Sequence, residues 1–261
     1  MNVDYTKKSK ALNRFLLYHH KKIMRWFIRK PLKNKEKLII DTIKYLQKKR
    51  IKDIMSDHNN YIKDTLKMKN RDELINYLIK KIDAQSYLEI GICDGSNHKK
   101  INCKNKIGVD PNSQVSEVSR RMTSDRFFSE NKDMFDVIFV DGLHVYEQVY
   151  RDICNSLKFL NKNGYLVCHD MNPPTETHQR VPRPVGQRQW NGDCWKAWVQ
   201  LRSERNDIIM CVVDMDWGCG VIKFGNQQPL LIENNTLNYE FLEKNRKSIL
   251  NLISPEDFLN L

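Results

Sequence analysis

The chain contains no Cys-x-x-Cys pair. Its seven cysteines, at 93, 103, 154, 168, 194, 211 and 219, are odd in number and widely spaced. Neither a disulfide framework nor a zinc knuckle is expected, and they read as buried thiols in a reducing compartment. A secretory leader is also missing, because the N-terminus is polar and Lys, Arg and His break its apolar runs every few residues. Nothing approaches the roughly 20 consecutive apolar residues that span a bilayer. These absences predict a cytoplasmic protein. The dinucleotide fingerprint G-x-G-x-x-G is incomplete as well: Cys93 stands where the glycine after Gly91 would be, so a pyrophosphate ligand is not indicated. No RNA-binding module is visible.

What is present begins with charge. The formal net charge is +12, and residues 1–50 hold 16 Lys and Arg against 3 Asp and Glu, so a basic arm precedes a nearly neutral body. The length of 261 residues suits one α/β domain with extra segments. Within the arm, residues 11–30 place Leu12, Phe15, Leu16, Ile23, Trp26 and Phe27 close to helical spacing among His, Lys and Arg. Such a basic amphipathic helix fits docking on the body or peripheral contact with an anionic membrane surface, and nucleic acid is a third partner class. The bland alternative is coding bias toward Asn, Ile and Lys. Pro31 interrupts this helix, and a second periodic segment runs from Lys35 to Arg50. A third, Arg71 to Ile82, carries Leu74, Ile75, Leu78 and Ile79.

The stretch Ser86 to Asp110 reads as strand, glycine turn, connector, strand and acid. Tyr87, Leu88 and Ile90 surround Glu89, Gly91 and Gly95 form the turn, and Ile107 to Val109 lead into Asp110. An acid about 20 residues beyond a glycine turn suits a ligand whose ribose hydroxyls sit at the end of the second strand of a parallel sheet. The turn fits an adenosine-bearing molecule other than a dinucleotide. Farther on, Thr123 or Ser124 caps a short helix, and Asp125 is either a first-turn acid or an adenine contact.

The second informative block runs from Phe135 to Pro174. Phe135 to Val140 is a buried strand, Val145 to Leu160 has helical periodicity ended by Asn163-Gly164, and Tyr165 to Cys168 is another buried strand. Strand, helix, strand predicts a right-handed parallel unit. Asp141 and Asp170 then lie at the carboxyl ends of two strands, where open parallel sheets bind ligands, and His144, on the first turn of the helix, faces the same crevice. Residues 175–192 form a polar, Arg-rich loop of functional length. A helix follows with Asp193 near its start and Trp195, Ala197, Trp198 and Leu201 on its apolar face. Trp190 and Asp193 are the candidate acceptor contacts. Ile208 to Val213 and Val221 to Phe224 predict a hairpin at the sheet edge, and the tail reads as helical. The expected division is a basic helical extension over 1–70, the main domain over 71–225, and a packed C-terminal tail over 226–261.

The order of EIGICDG, GVDPN, MTSD, FVDGLHVYEQVYRD and GYLVCHDMNPP, over roughly residues 85–225, resembles a class I S-adenosylmethionine-dependent methyltransferase. In particular it is similar to the small-molecule and sugar O-methyltransferase group associated with polysaccharide pathways. The resemblance implies a Rossmann-like, mostly parallel seven-stranded sheet with helices on both faces, preceded here by the N-terminal helical extension. Glu89, Gly91 and Gly95 would lie under the methionine part of the cofactor, Asp110 would hold the ribose, and Asp125 would approach the adenine. Asp141 and Asp170 would hold Mg²⁺ or another divalent cation, with His144 as base toward a sugar, glycan or related small-molecule acceptor. The sequence departs from that pattern in having His169 before Asp170 and no assured third carboxylate. The rival readings are an RNA methyltransferase using the basic arm and a non-catalytic scaffold that keeps the fold. The oligomeric state is not readable from the sequence.

Overall fold

The computed structural model describes residues 44–46, 48–49, 68–232 and 237–261. Residues 44–46 and 48–49 are helical, within the periodic segment 35–50. The amphipathic segment 11–30, and with it the membrane and nucleic-acid expectations, lies outside the described residues. The chain forms two compact units, 1–67 and 68–261, and the second holds everything that follows.

Helix α1 (Arg71–Ile82) forms where Leu74, Ile75, Leu78 and Ile79 repeat on one face, and all four are buried. It starts with the Glu73 carboxylate accepting from the Asn70 main-chain N–H at 3.2 Å, and it stops at Asp83, which takes the left-handed conformation (φ 54°). Then come β1 (Ser86–Ile90), α2 (Ser96–Lys100), β2 (Asn105–Val109), α3 (Ser124–Glu130), β3 (Phe135–Val140), α4 (Tyr146–Lys158) and β4 (Leu160–Cys168). The chain finishes with α5 (Glu176–Gln179), α6 (Cys194–Glu204), β5 (Ile208–Val213), β6 (Cys219–Phe224), α7 (Tyr239–Leu250), β7 (Leu252–Ile253) and α8 (Pro255–Leu259).

The strands make one seven-stranded sheet in the order β2-β1-β3-β4-β6-β5-β7. Only β6 runs antiparallel to its neighbours; β1 pairs parallel with β2 and β3, β3 with β4, and β5 with β7. Alternation along each strand feeds two cores. Leu88, Ile90, Ile138, Val140, Leu166 and Ile222 meet Val149 and Ile153 of α4 and Trp195 and Trp198 of α6 on one face. Tyr87, Val137, Phe139, Val167 and Val221 meet α1 and Phe258 and Leu259 of α8 on the other. The Rossmann-like architecture with helices on both faces is therefore the one the sequence predicts.

Three local expectations need correction. Leu160 belongs to β4 rather than to the preceding helix, because it pairs with Phe135 and the β3–β4 register shifts beyond that pair; Asn163-Gly164 then falls inside β4. The β5–β6 hairpin is not at the edge, since β7 pairs outside β5. The tail is not wholly helical either. Asn251 turns left-handed (φ 49°), its side chain donates to the Met210 carbonyl at 2.8 Å, and Leu252–Ile253 lie down as a strand on Val212 and Val213.

The crossing from β1 toward the ligand edge depends on Gly91, whose φ is +91°. A Cβ there would lie 2.1 Å from the Asp141 carbonyl oxygen. Gly91→Ala should therefore cost about 1–3 kcal/mol from the backbone conformation alone. Urea unfolding read by tryptophan fluorescence should show a lower midpoint with an unchanged slope; an unchanged midpoint would count against this turn geometry.

Candidate active site

A cavity of about 1130 Å³ opens at the carboxyl ends of β1, β2, β3 and β4. Its walls include Glu89, Gly91, Asp110 and Asp125 at one end, Asp141, His144, His169 and Asp170 at the centre, and Trp190 and Trp217. The strand-end placement expected for open parallel sheets thus brings both halves of the predicted site together.

On the cradle side, Glu89 is almost fully buried, and one of its oxygens accepts from Tyr87 Oη at 2.8 Å and lies 3.1 Å from His98 Nδ1. The Asp110 carboxylate accepts main-chain N–H bonds from Cys93 (3.0 Å), Asn112 (2.8 Å) and Ser113 (2.8 Å), which fixes its orientation across the turn. An ionised carboxylate has about four acceptor positions, so one is left for a ligand hydroxyl. Thr123 supplies the cap of α3, accepting from Arg126 N. That leaves Asp125 on the cavity wall, 3.3 Å from Gln148 Nε2.

Two buried acceptors on this wall have no partner among the described residues: Asn97 Oδ1 and Asp152 Oδ2. Burial, only partly offset by hydrogen bonds from Ser124 and Gln148, pushes the Asp152 carboxyl up to about 6. A ligand bearing amino groups and hydroxyls would satisfy such orphaned acceptors, and S-adenosylmethionine bears both. The cavity, the glycine turn and these acceptors fit that cofactor.

At the centre, Asp141 continues β3, its N–H bonded to the Ile90 carbonyl at 2.9 Å, and His169 continues β4 through the Val140 carbonyl at 3.0 Å. His144 is not on the helix as expected. It lies two residues before α4, in the loop leading to the N-cap Val145. Its Nδ1 is 2.9 Å from the Trp190 carbonyl oxygen and so carries hydrogen, and the Trp190 indole stacks on the ring at 5.3 Å. That leaves Nε2, 3.3 Å from Asp141 Oδ1. Asp170, at φ +65°, lies 3.3 Å from His144 Nδ1 and 3.0 Å from His169 Nδ1 through Oδ2, while its Oδ1 accepts from Asn191 at 2.7 Å. Burial alone would lower the His144 pKa, but the carboxylates of Asp141 and Asp170 raise it above its ordinary value. The same balance holds His169 well above the usual imidazole range, and it holds Asp141 well below the usual carboxylate range.

Sequence reasoning missed three members of this cluster. Asp216, in the β5–β6 turn, supplies the third carboxylate, and its main-chain oxygen lies 2.7 Å from His169 Nε2. Arg71, at the start of α1, reaches Asp141 Oδ2 at 2.6 Å and Asp216 Oδ2 at 2.9 Å. His169 was visible beside Asp170 but had no assigned role. Asp216 lay between the two strands of the predicted hairpin with nothing to mark it, and nothing marked Arg71 beyond its place on a helix. Asp193, expected to touch the acceptor, does not line the cavity. One of its oxygens accepts from Tyr146 N at 2.8 Å, capping α4 from a distance, and the other pairs with Lys196 at 3.1 Å. Trp190 does line it.

The donor set was also tested for a divalent cation. Among the described residues, Asp141, His169 and Asp170 offer ligand atoms within 4.8 Å of one another, as do His169, Asp216 and Cys219. Burial pushes the Cys219 thiol up to about 12, which leaves it protonated and a poor ligand. Around the first group, Arg71 Nη1 is 2.6 Å from Asp141 Oδ2 and 3.1 Å from His169 Nδ1. An ion bonded to that nitrogen at ~2.1 Å would lie within roughly 5 Å of the guanidinium, where repulsion between +2 and +1 at an effective dielectric constant near 20 is about 7 kcal/mol. Arg71 thus competes with a divalent cation for Asp141, while the carboxylates of Asp141 and Asp170 would attract one.

Residues 80–171 match a protein family described as a methyltransferase domain. An uncharacterised protein of Acanthamoeba polyphaga mimivirus is 29% identical over 129 residues, an alignment covering 38% of this chain and 58% of that protein. The chain thus spans less than two thirds of that curated relative. Among solved structures it is similar to an SAH-bound methyltransferase of Podospora anserina (16% identity, 61% of this chain, 80% of that chain, TM-score 0.46). It is also similar to an O-methyltransferase of Bacillus cereus in complex with SAH (12%, 58% and 78%, TM-score 0.42). The matched stretch carries β1 to β4 and the residues Glu89, Asp110, Asp141, His144 and Asp170. What residues 80–171 match, then, is a methyltransferase domain.

Proposed function

We propose that the chain is an S-adenosylmethionine-dependent O-methyltransferase acting on a hydroxyl of a sugar, glycan or related small molecule. The observation that carries this reading is one continuous cavity, also lined by Trp217, that joins the Glu89–Asp110 cradle to a histidine flanked by acids and stacked on Trp190. The cofactor supplies an activated methyl group on a sulfonium, so the protein's tasks are alignment for in-line attack and removal of the acceptor proton.

His144 is suited to the second task. Trp190 holds Nδ1–H through its carbonyl oxygen, so the neutral ring presents Nε2 as the basic atom. Asp141 beside Nε2 stabilises the imidazolium that forms. The stacked Trp190 fixes the ring plane and walls the acceptor side. Indole faces of this kind also suit the apolar face of a sugar ring, which supports the acceptor class. The metal-assisted version draws support from the convergence of Asp141, His169 and Asp170, and Arg71 stands against it. For an RNA acceptor, the support is the basic arm alone.

Isothermal calorimetry with S-adenosylmethionine addresses the cofactor half. Asp110→Ala should weaken binding at least about tenfold by removing the charge-assisted bond to a ligand hydroxyl, worth roughly 1.5–3 kcal/mol. No binding by the intact chain would favour the scaffold reading. A screen of nucleotide sugars and glycans with labelled cofactor addresses the acceptor, and transfer to RNA alone would overturn the sugar assignment.

For the base, His144→Ala should lower kcat by about 10²–10⁴-fold while leaving cofactor affinity unchanged. The His144 pKa is raised above 6.5, and the base works deprotonated. Activity should therefore rise with pH along a limb centred above that value. Asp170→Asn removes one of the raising charges and should move the limb to lower pH. A limb that stays in place would show that another group titrates.

A further inference from the structure

The acid cluster contains one cation that no ordinary pH discharges, the guanidinium of Arg71. It is clamped from two sides. Nη1 donates to Asp141 Oδ2 at 2.6 Å; Nε and the Arg71 main-chain N–H both donate to Asp216 Oδ2 at 2.9 Å. Asp216 therefore caps the first turn of α1 and pairs with the side chain of the same residue. The turn that presents Asp216 is conformationally costly, with φ +42° at Asp216 and +66° at Trp217. It is braced by Met171 N–H to the Gly218 carbonyl (3.0 Å) and Asn172 N–H to the Trp217 carbonyl (2.8 Å). This strained, braced turn holds the arginine against Asp141, at the one place where strand-end carboxylates converge.

We propose that Arg71 is the resident cation of the acceptor site. It occupies the charge position that a divalent ion would otherwise take among Asp141, His169, Asp170 and Asp216, so the intact chain works without metal. Losing the guanidinium frees Asp141, His169 and Asp170 as a divalent-cation site. Arg71 is a positioning residue: it donates to Asp141 and so holds that carboxylate beside His144. The catalytic half of this inference rests on the methyl-transfer reading, and the ion-binding half stands on the cluster alone.

The test uses the full chain, MnCl₂ as the probe, and electron paramagnetic resonance of free Mn²⁺ alongside calorimetry. The wild type should bind no stoichiometric Mn²⁺. Arg71→Ala should bind one Mn²⁺ per chain and lose it again when combined with Asp141→Asn, and Arg71→Lys, which keeps the charge, should exclude the ion. Wild-type methyl transfer should be unaffected by EDTA, whereas Arg71→Ala should lose at least about tenfold in kcat/KM, as expected when Asp141 loses its clamp, and regain part of it with Mn²⁺. Stoichiometric Mn²⁺ binding by the wild type, or loss of its activity in EDTA, would overturn the proposal. So would an Arg71→Ala chain that keeps its circular dichroism spectrum and cofactor affinity yet binds no Mn²⁺. If Arg71→Ala does not fold, the two wild-type measurements and Arg71→Lys decide alone. A wild type that binds no S-adenosylmethionine would sink the methyltransferase reading while leaving the Mn²⁺ result interpretable.

Discussion

Charge balance at the carboxyl edge of the sheet is the constraint on which the rest of the site depends. Asp141, Asp170 and Asp216 crowd around the single imidazole of His169, where like charges at a few ångströms repel. They coexist because Arg71, His144 and His169 are threaded among them, and each basic group touches at least two of the acids. The elements that bring those six side chains together are the end of β3, the end of β4, the β5–β6 turn, the loop before α4 and the first residue of α1. Much of the fold's topology can be read as the means of delivering them.

The parts of this arrangement legible in the sequence were those encoded by local pattern. Buried strands declare themselves as apolar runs, and the residue after such a run is fixed at a strand end without any knowledge of partners. Asp110 and Asp141 directly follow such runs and Asp170 follows one by two residues, while Glu89 lies inside its strand. His144 followed from its spacing to Asp141, although the extended backbone at Val145 keeps it off the helix. What stayed hidden were the long-range contacts. Arg71 and Asp216 are 145 positions apart, and an arginine that opens a helix looks the same whether it faces solvent or a carboxylate. Asp193 is a related case: its place near the start of a helix made it a candidate acceptor contact, whereas one of its carboxylate oxygens caps α4, 47 positions away. The boundary errors have the same origin, because strand pairing with β3 and β5 overrides helical periodicity at Leu160 and at Leu252.

The cofactor side and the acceptor side are built differently. Asp110 is oriented by main-chain N–H groups of the turn it closes, a local and self-contained device. His144 is oriented by the Trp190 carbonyl, and Gly192 packs directly on the His144 main chain. The wall around His144 is thus assembled from the loop 180–192 and the sheet together. A change of acceptor could arise in that loop while the cradle stayed intact, consistent with one domain type serving many acceptors.

The single antiparallel strand has a consequence for how the molecule is made. Because β6 runs backwards, the turn before it, rather than the end after it, lies on the ligand edge. Asp216 therefore joins the cluster from the far end of the polypeptide, long after Arg71, Asp141 and Asp170 have been synthesised. A growing chain that has completed β4 already holds two of the acids but lacks the anchor that clamps Arg71 onto them. Closure of the site is a late event in the life of each chain, set by the direction of one strand.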